Sequence, residues 1–208
     1  MSQRRGPTGE EIPPPLDLHD RPLPLLERPE SWPLHRVHRS IHSPVFFGPG
    51  AGKPPAFRFD SNTGAFGVLY AAEMPDGAFV ETLLRNPSRL MVDWSEIAAR
   101  SYSELLANKD LRLVDATGSG LSRLGTTAAL STGPYDPCGL WSDALFHHPE
   151  QPDGIIYSSR HNPKKFSIAL FGRPDMKLSV LGTVPLTEML DEVAEFLDRH
   201  GKSIAGLP

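Results

Sequence analysis

A single cysteine, Cys138, in 208 residues leaves no intrachain disulfide framework and fits a reducing, cytoplasmic setting. No run approaches the roughly 18 apolar residues of a membrane span. The opening segment, MSQRRGPTGEEIPPPLDLHD, has two arginines but no apolar h-region, so no secretory signal is expected from it. Positive charge is not in excess: 21 Lys and Arg against 25 Asp and Glu give a net charge of −4, with no basic stripe. Direct nucleic-acid binding, which draws most of its affinity from phosphate neutralisation, is therefore not expected. Thiolates are too few for a zinc site, and the adjacent histidines of HHPE (147–150) would point about 100° apart on a helix. No metal is expected.

Proline is abundant and unevenly placed. Twelve of the 22 prolines lie in the first 55 residues, and each removes an amide donor and clashes with a preceding helical turn. Residues 1–30 read as an extended arm whose leucines pack in part on the domain, and residues 31–208 as one domain. Five segments have the length and composition of strands: Gly67–Ala72, Leu90–Asp93, Leu111–Ala116, Gly154–Ser159 and Phe166–Phe171. Helical patterns fall at about 77–86, 95–107 and 138–147. A last one runs from Thr187 to about His200, with Leu186, Met189, Leu190, Val193, Phe196 and Leu197 at helical spacing and Gly201 as a stop. The mixture predicts an α+β domain.

Three apparent motifs fail on their chemistry. GPGAGKPP (48–55) puts Pro54 where a phosphate loop needs a hydroxyl for magnesium, and Phe47 where it needs its first glycine. ATGSGLSRLG (116–125) follows a strand but has Arg123 in place of the third glycine of a dinucleotide turn. Cys138 lies near His147 and His148 in sequence without any nucleophile signature around it, so a buried structural thiol is expected.

The stretch FGVLYAAEMPDGAFVETLLR (66–85) carries more. Alternation puts Val68, Tyr70 and Ala72 on one strand face. After the turn at Pro75–Gly77, Glu81 sits at the border of the apolar stripe of Phe79, Val80, Leu83 and Leu84. Glu81 and Arg85 form an i,i+4 pair in the favourable order, worth about 0.2–0.5 kcal/mol on a surface. Arginines at 36, 39 and 58 could hold a small anion.

LHRVHRS, AFRFDS, the Phe66–Arg85 stretch and DGIIYSSRHNPKKFSIALF, in that order, together resemble the RES domain family over residues 34–172. The resemblance implies an ADP-ribosyltransferase-like arrangement of mixed sheets with flanking helices. It implies a toxin held by an Xre-type helix-turn-helix antitoxin, acting on NAD as substrate without a metal. It puts the family arginine on Arg36 (or Arg39), a second arginine on Arg58, the tyrosine on Tyr70, the glutamate on Glu81 and the serine on Ser159 (or Ser158). Arg36, Arg58 and Tyr70 would bind the dinucleotide; Glu81, with Arg36, Tyr70 and Ser159, would serve catalysis. The implied reaction is cleavage of the nicotinamide–ribose bond by water or phosphate. Transfer of ADP-ribose to a protein is an alternative, and a non-catalytic interaction module is an alternative of another class.

Overall fold

The structure, a computed structural model, describes residues 13–49 and 52–206. Its centre is an eight-stranded mixed sheet. In chain order the strands are β1 (Leu25–Arg28), β2 (Leu34–Arg39), β3 (Val68–Ala72), β5 (Arg100–Ala107), β6 (Leu111–Ala116), β7 (Gly154–Ser158), β8 (Phe166–Phe171) and β9 (Leu178–Pro185). Across the sheet the order is β1-β6-β7-β8-β3-β2-β5-β9. Only β6 and β7 are parallel neighbours, and the crossover between them holds three helices: α3 (Gly118–Leu124), α4 (Ala129–Thr132) and α5 (Asp136–Phe146). A small parallel pair, β4 (Met91–Asp93) with β10 (Ser203–Ala205), lies apart from it. The remaining helices are α1 (Pro75–Leu83), α2 (Trp94–Ala98) and α6 (Leu190–Asp198). The α+β class read from the sequence is the one found.

The central strands are apolar at consecutive positions because both faces are covered. On one face Val68, Val114, Ile155, Tyr157, Ala169 and Phe171 pack under Leu124, Trp141 and Leu145 of α3 and α5. On the other, Leu69, Ala71, Leu113, Ile156, Ile168 and Leu170 meet Met176 and Leu34. A third cluster joins α1 to α6 through Phe79, Val80, Leu83, Val193, Phe196 and Leu197. It packs on Val37 and Tyr102, on the β2–β5 side of the sheet.

Residues 1–12 of the expected arm lie outside the described residues. From residue 13 on, the arm is built into the domain: Leu18 and Leu23 are buried in the first cluster, and β1 lies at the sheet edge against β6. Pro24 and Pro29 bracket β1, as suits an edge strand with fewer amides to pair.

The helix expected over 95–107 stops at Ala98, and Arg100–Ala107 is a strand with perfectly alternating burial. Its inward positions are Ser101, Ser103, Leu105 and Ala107, so two buried serines hide the period of two. Pairing with β2 on one side and β9 on the other overrides the helical propensity of Glu104–Ala107. The final helix is shorter than expected, Leu190–Asp198 after a 3-10 turn at Leu186–Glu188.

Two of the positions that require glycine shape α3 and β7. Gly125 ends α3 at φ 77°, a left-handed cap that a Cβ disfavours. Gly154 opens β7 where a Cβ would lie 2.3 Å from the Ala169 carbonyl oxygen. Gly154→Ala is expected to lower stability by about 1–3 kcal/mol through this overpacking, read as a lower urea midpoint with unchanged m-value. A wild-type midpoint would contradict the close approach.

Candidate active site

The sheet opens between β2 and β3. Their pairing is confined to His35 opposite Ala72, although both strands continue beyond it. A cavity of about 850 Å³ occupies the opening, lined by Arg36–Arg39 on β2, Tyr70–Ala72 on β3 and Glu81 on α1. It lies between the core that α5 covers and the core that α1 and α6 cover. By alternation Arg36 leaves its strand opposite the Tyr70 side chain. The gap lets its guanidinium donate from Nη1 to the Tyr70 carbonyl oxygen at 2.6 Å.

Glu81 is half-buried and faces this cavity. Its Oε1 accepts a hydrogen bond from Ser167 Oγ, 3.1 Å away at the start of β8. Burial, and next the Glu81 charge, push the Tyr157 phenol far up; the Arg58 charge works the other way. Burial lowers the His161 imidazole below its ordinary value, while Glu81 opposes the shift. Arg85 does not satisfy the Glu81 carboxylate: its Nε donates to the Glu81 backbone carbonyl at 2.8 Å, and its guanidinium lies 5.6 Å from the Phe57 ring. Glu81 is the one carboxylate lining the cavity among the described residues.

Tyr70 is fixed at its hydroxyl, which donates to Asp60 Oδ1 and accepts from the Phe59 amide, both at 2.9 Å. Burial, and then the Asp60 charge, raise the phenol well above its ordinary value. Asp60 in turn accepts the amides of Ala56 and Phe57, so one buried carboxylate ties the 56–60 loop to β3. The Phe57 ring meets the Tyr70 ring edge-on at 5.5 Å.

Among the described residues, six arginines line the cavity: Arg36, Arg39, Arg58, Arg85, Arg100 and Arg160. Burial lowers Arg36 to about 10, which leaves it charged at neutral pH. Arg58 is buried, donates from Nη1 to the carbonyls of Gly133 (2.8 Å) and Leu130 (3.4 Å), and stacks 4.7 Å from the Tyr135 ring. Arg36 Nε and Arg58 Nη2 are buried donors with no hydrogen-bond partner among the described residues. Such groups are costly unless something accepts from them. An anion bound between β2, β3 and the 56–60 loop would do so.

The structure thus brings Arg36, Arg58, Tyr70 and Glu81 to one cavity, with Arg39 at its exposed side. Ser159 and Ser158 do not line it. Ser159 is buried just past the end of β7, where its Oγ accepts the amides of His161 (3.2 Å) and Asn162 (3.4 Å). Ser167 is the serine that meets Glu81. Sequence reasoning missed it because one hydroxyl at the head of FSIALF reads as a strand terminus, and its place opposite Tyr157 follows only from the pairing of β7 with β8. The glycine-rich stretch 116–125 forms β6's end and α3, away from the cavity. Cys138 is buried in the core against Arg58 Nη1, 3.3 Å from its sulfur. Among the described residues, no group of three or more His, Cys, Asp or Glu could hold a metal ion, and no helix is long and apolar enough to cross a membrane.

The RES domain family model matches residues 33–187, which span the split sheet, Glu81 and the arginines of the cavity. The chain belongs to the RES domain family. It is 38% identical over 105 residues to the probable toxin y4kH of Sinorhizobium fredii (strain NBRC 101917 / NGR234), a match spanning 50% of this chain and 82% of that protein. Its fold is similar to that in the crystal structure of the M.tuberculosis MbcT-MbcA toxin-antitoxin complex, with a TM-score of 0.57 and 15% identity over 84% of this chain and 92% of the other.

Proposed function

We propose that this protein is the toxin of a toxin–antitoxin pair and acts by cleaving NAD at the nicotinamide–ribose bond, with water or phosphate bonding to the ribose carbon as nicotinamide leaves. The observation that carries the reading is the lone Glu81 carboxylate inside an arginine-lined cavity large enough for a dinucleotide. Cleaving that bond develops positive charge on the ribose, as in glycoside hydrolysis. Nicotinamide leaves as a neutral ring, so no general acid is required. At about 4 Å and an effective dielectric near 20, a fixed carboxylate attracts a full unit charge by about 4 kcal/mol. Expressed in the transition state alone, that is roughly a thousandfold in rate.

The other side chains take roles that follow from their bonds. Arg36 and Arg58 hold the pyrophosphate through donors that are otherwise unpartnered, and a planar guanidinium fork suits phosphate oxygens. Tyr70 presents its ring to the nicotinamide while Asp60 and the Phe59 amide fix its plane. Ser167 is a positioning residue that aims Glu81. The antitoxin partner, of the Xre helix-turn-helix type in the resemblance, and a cytoplasmic site of action belong to the same proposal.

Removal of the Ser167 hydroxyl tests the positioning role. A hydrogen bond to a charged group is worth about 1.5–3 kcal/mol. Ser167→Ala is expected to lower kcat for NAD cleavage about ten- to a hundredfold with KM little changed. A rise in KM at constant kcat would place Ser167 in binding instead. The reading as a whole is tested by incubating purified protein with NAD and following nicotinamide. Label moving from NAD into protein would indicate ADP-ribosyl transfer.

A further inference from the structure

Pyrophosphate brings two negative charges, and two of the six cavity arginines suffice to grip it. Three others gather elsewhere in the cavity. Arg39 on β2 stands directly across the ladder from Arg100 on β5, and Arg85 comes down from the end of α1. Like charges opposite one another in a sheet are destabilising. The Arg100 side chain is only 18% exposed, and burial lowers its pKa; the charges of Arg39 and Arg85 add to that shift while Glu96 opposes it.

Counter-charge for this trio is thin. Glu96 is shared: Arg89 bonds its carboxylate, and Arg100 approaches only to 3.8 Å while donating to the Glu96 backbone carbonyl. Arg85 donates to a backbone carbonyl and stacks on Phe57. Arg39 is exposed, and no salt bridge to it is found among the described residues. Three guanidiniums carried by a strand pair and a helix end, with the Glu96 carboxylate reaching Arg100 only at 3.8 Å and shared with Arg89, suit a compact, multiply charged anion.

We infer that Arg39, Arg85 and Arg100 form a second anion subsite that takes a phosphate dianion, separate from the pyrophosphate grip of Arg36 and Arg58. The phosphate is either the 2′-phosphate of NADP or free inorganic phosphate. The inference rests on the NAD reading only for the first of these sources.

Isothermal titration separates the sources. The full chain carrying Glu81→Gln, which keeps dinucleotides intact, is titrated with NAD, NADP and inorganic phosphate; Arg39→Gln and Arg39→Lys are then added singly. Arg39 is exposed, so its replacement leaves the fold in place. If the 2′-phosphate is the ligand, NADP binds about tenfold tighter than NAD and Arg39→Gln removes at least fivefold of that advantage. If free phosphate is the ligand, it binds alone and weakens at least fivefold in Arg39→Gln. In both cases Arg39→Lys keeps part of the affinity. Arg39-dependent phosphate binding without any NAD binding would keep the subsite and remove the NAD reading. Phosphate and NADP affinities indifferent to Arg39→Gln would overturn the subsite.

Discussion

Glu81→Gln is expected to reduce nicotinamide release from NAD by about a thousandfold or more while the protein stays folded. The substitution keeps the size of the side chain and an oxygen able to accept from Ser167 Oγ, so the α1–β8 contact survives. It removes only the charge. Glutamine cannot repay the developing positive charge on the ribose, and the loss of about 4 kcal/mol falls on the transition state. The expected pattern is a collapse of kcat with NAD binding retained, and a melting temperature within a few degrees of wild type. Turnover within tenfold of wild type would remove Glu81 from the chemistry. The i,i+4 ion pair with Arg85 offers no rival explanation, since Arg85 bonds the Glu81 backbone carbonyl.

Arg36→Ala is expected to raise KM for NAD about a hundredfold. Arg36 already donates from Nη1 to the Tyr70 carbonyl, and its buried Nε has no partner among the described residues. The substitution removes a charge-assisted contact to phosphate, each worth about 1.5–3 kcal/mol, and loosens the strand that carries Tyr70. About 2.7 kcal/mol corresponds to two decades. Lys53→Ala is the control: Lys53 is exposed and outside the cavity, and its replacement is expected to leave KM unchanged. Equal effects of the two changes would mean that the phosphate grip is elsewhere.

The parts of this protein that the sequence made legible are those where local pattern and tertiary role agree. The runs VLYAA, LRLVDA and FSIALF are strands because they are buried on both faces, and composition alone reports that. Glu81 stood out because a charge beside an apolar stripe has to be accounted for. The failures have a common physical origin. In Arg100–Ala107 two of the four buried positions are serines, and in β9 six of the eight residues are exposed, so neither segment shows clear apolar alternation. β1 and β2 lie among prolines that mask strands completed only by distant partners.

The same holds at the site. Arg36 and Tyr70 are 34 residues apart and meet because a strand pair separates after one rung. Ser167 reaches Glu81 across 86 residues, a contact set by the register of β8 against β3. The Arg39–Arg100 opposition likewise requires the β2–β5 register. Side chains that converge through register carry no local signature, whereas the residue types suited to phosphate and to a sugar cation can be recognised before their meeting place is known.

The most direct measurement is nicotinamide released from NAD by the purified wild-type protein, followed over time by proton NMR. Free nicotinamide is expected to accumulate to many equivalents per protein molecule without added metal. NAD that remains intact in the presence of folded, antitoxin-free protein would contradict it.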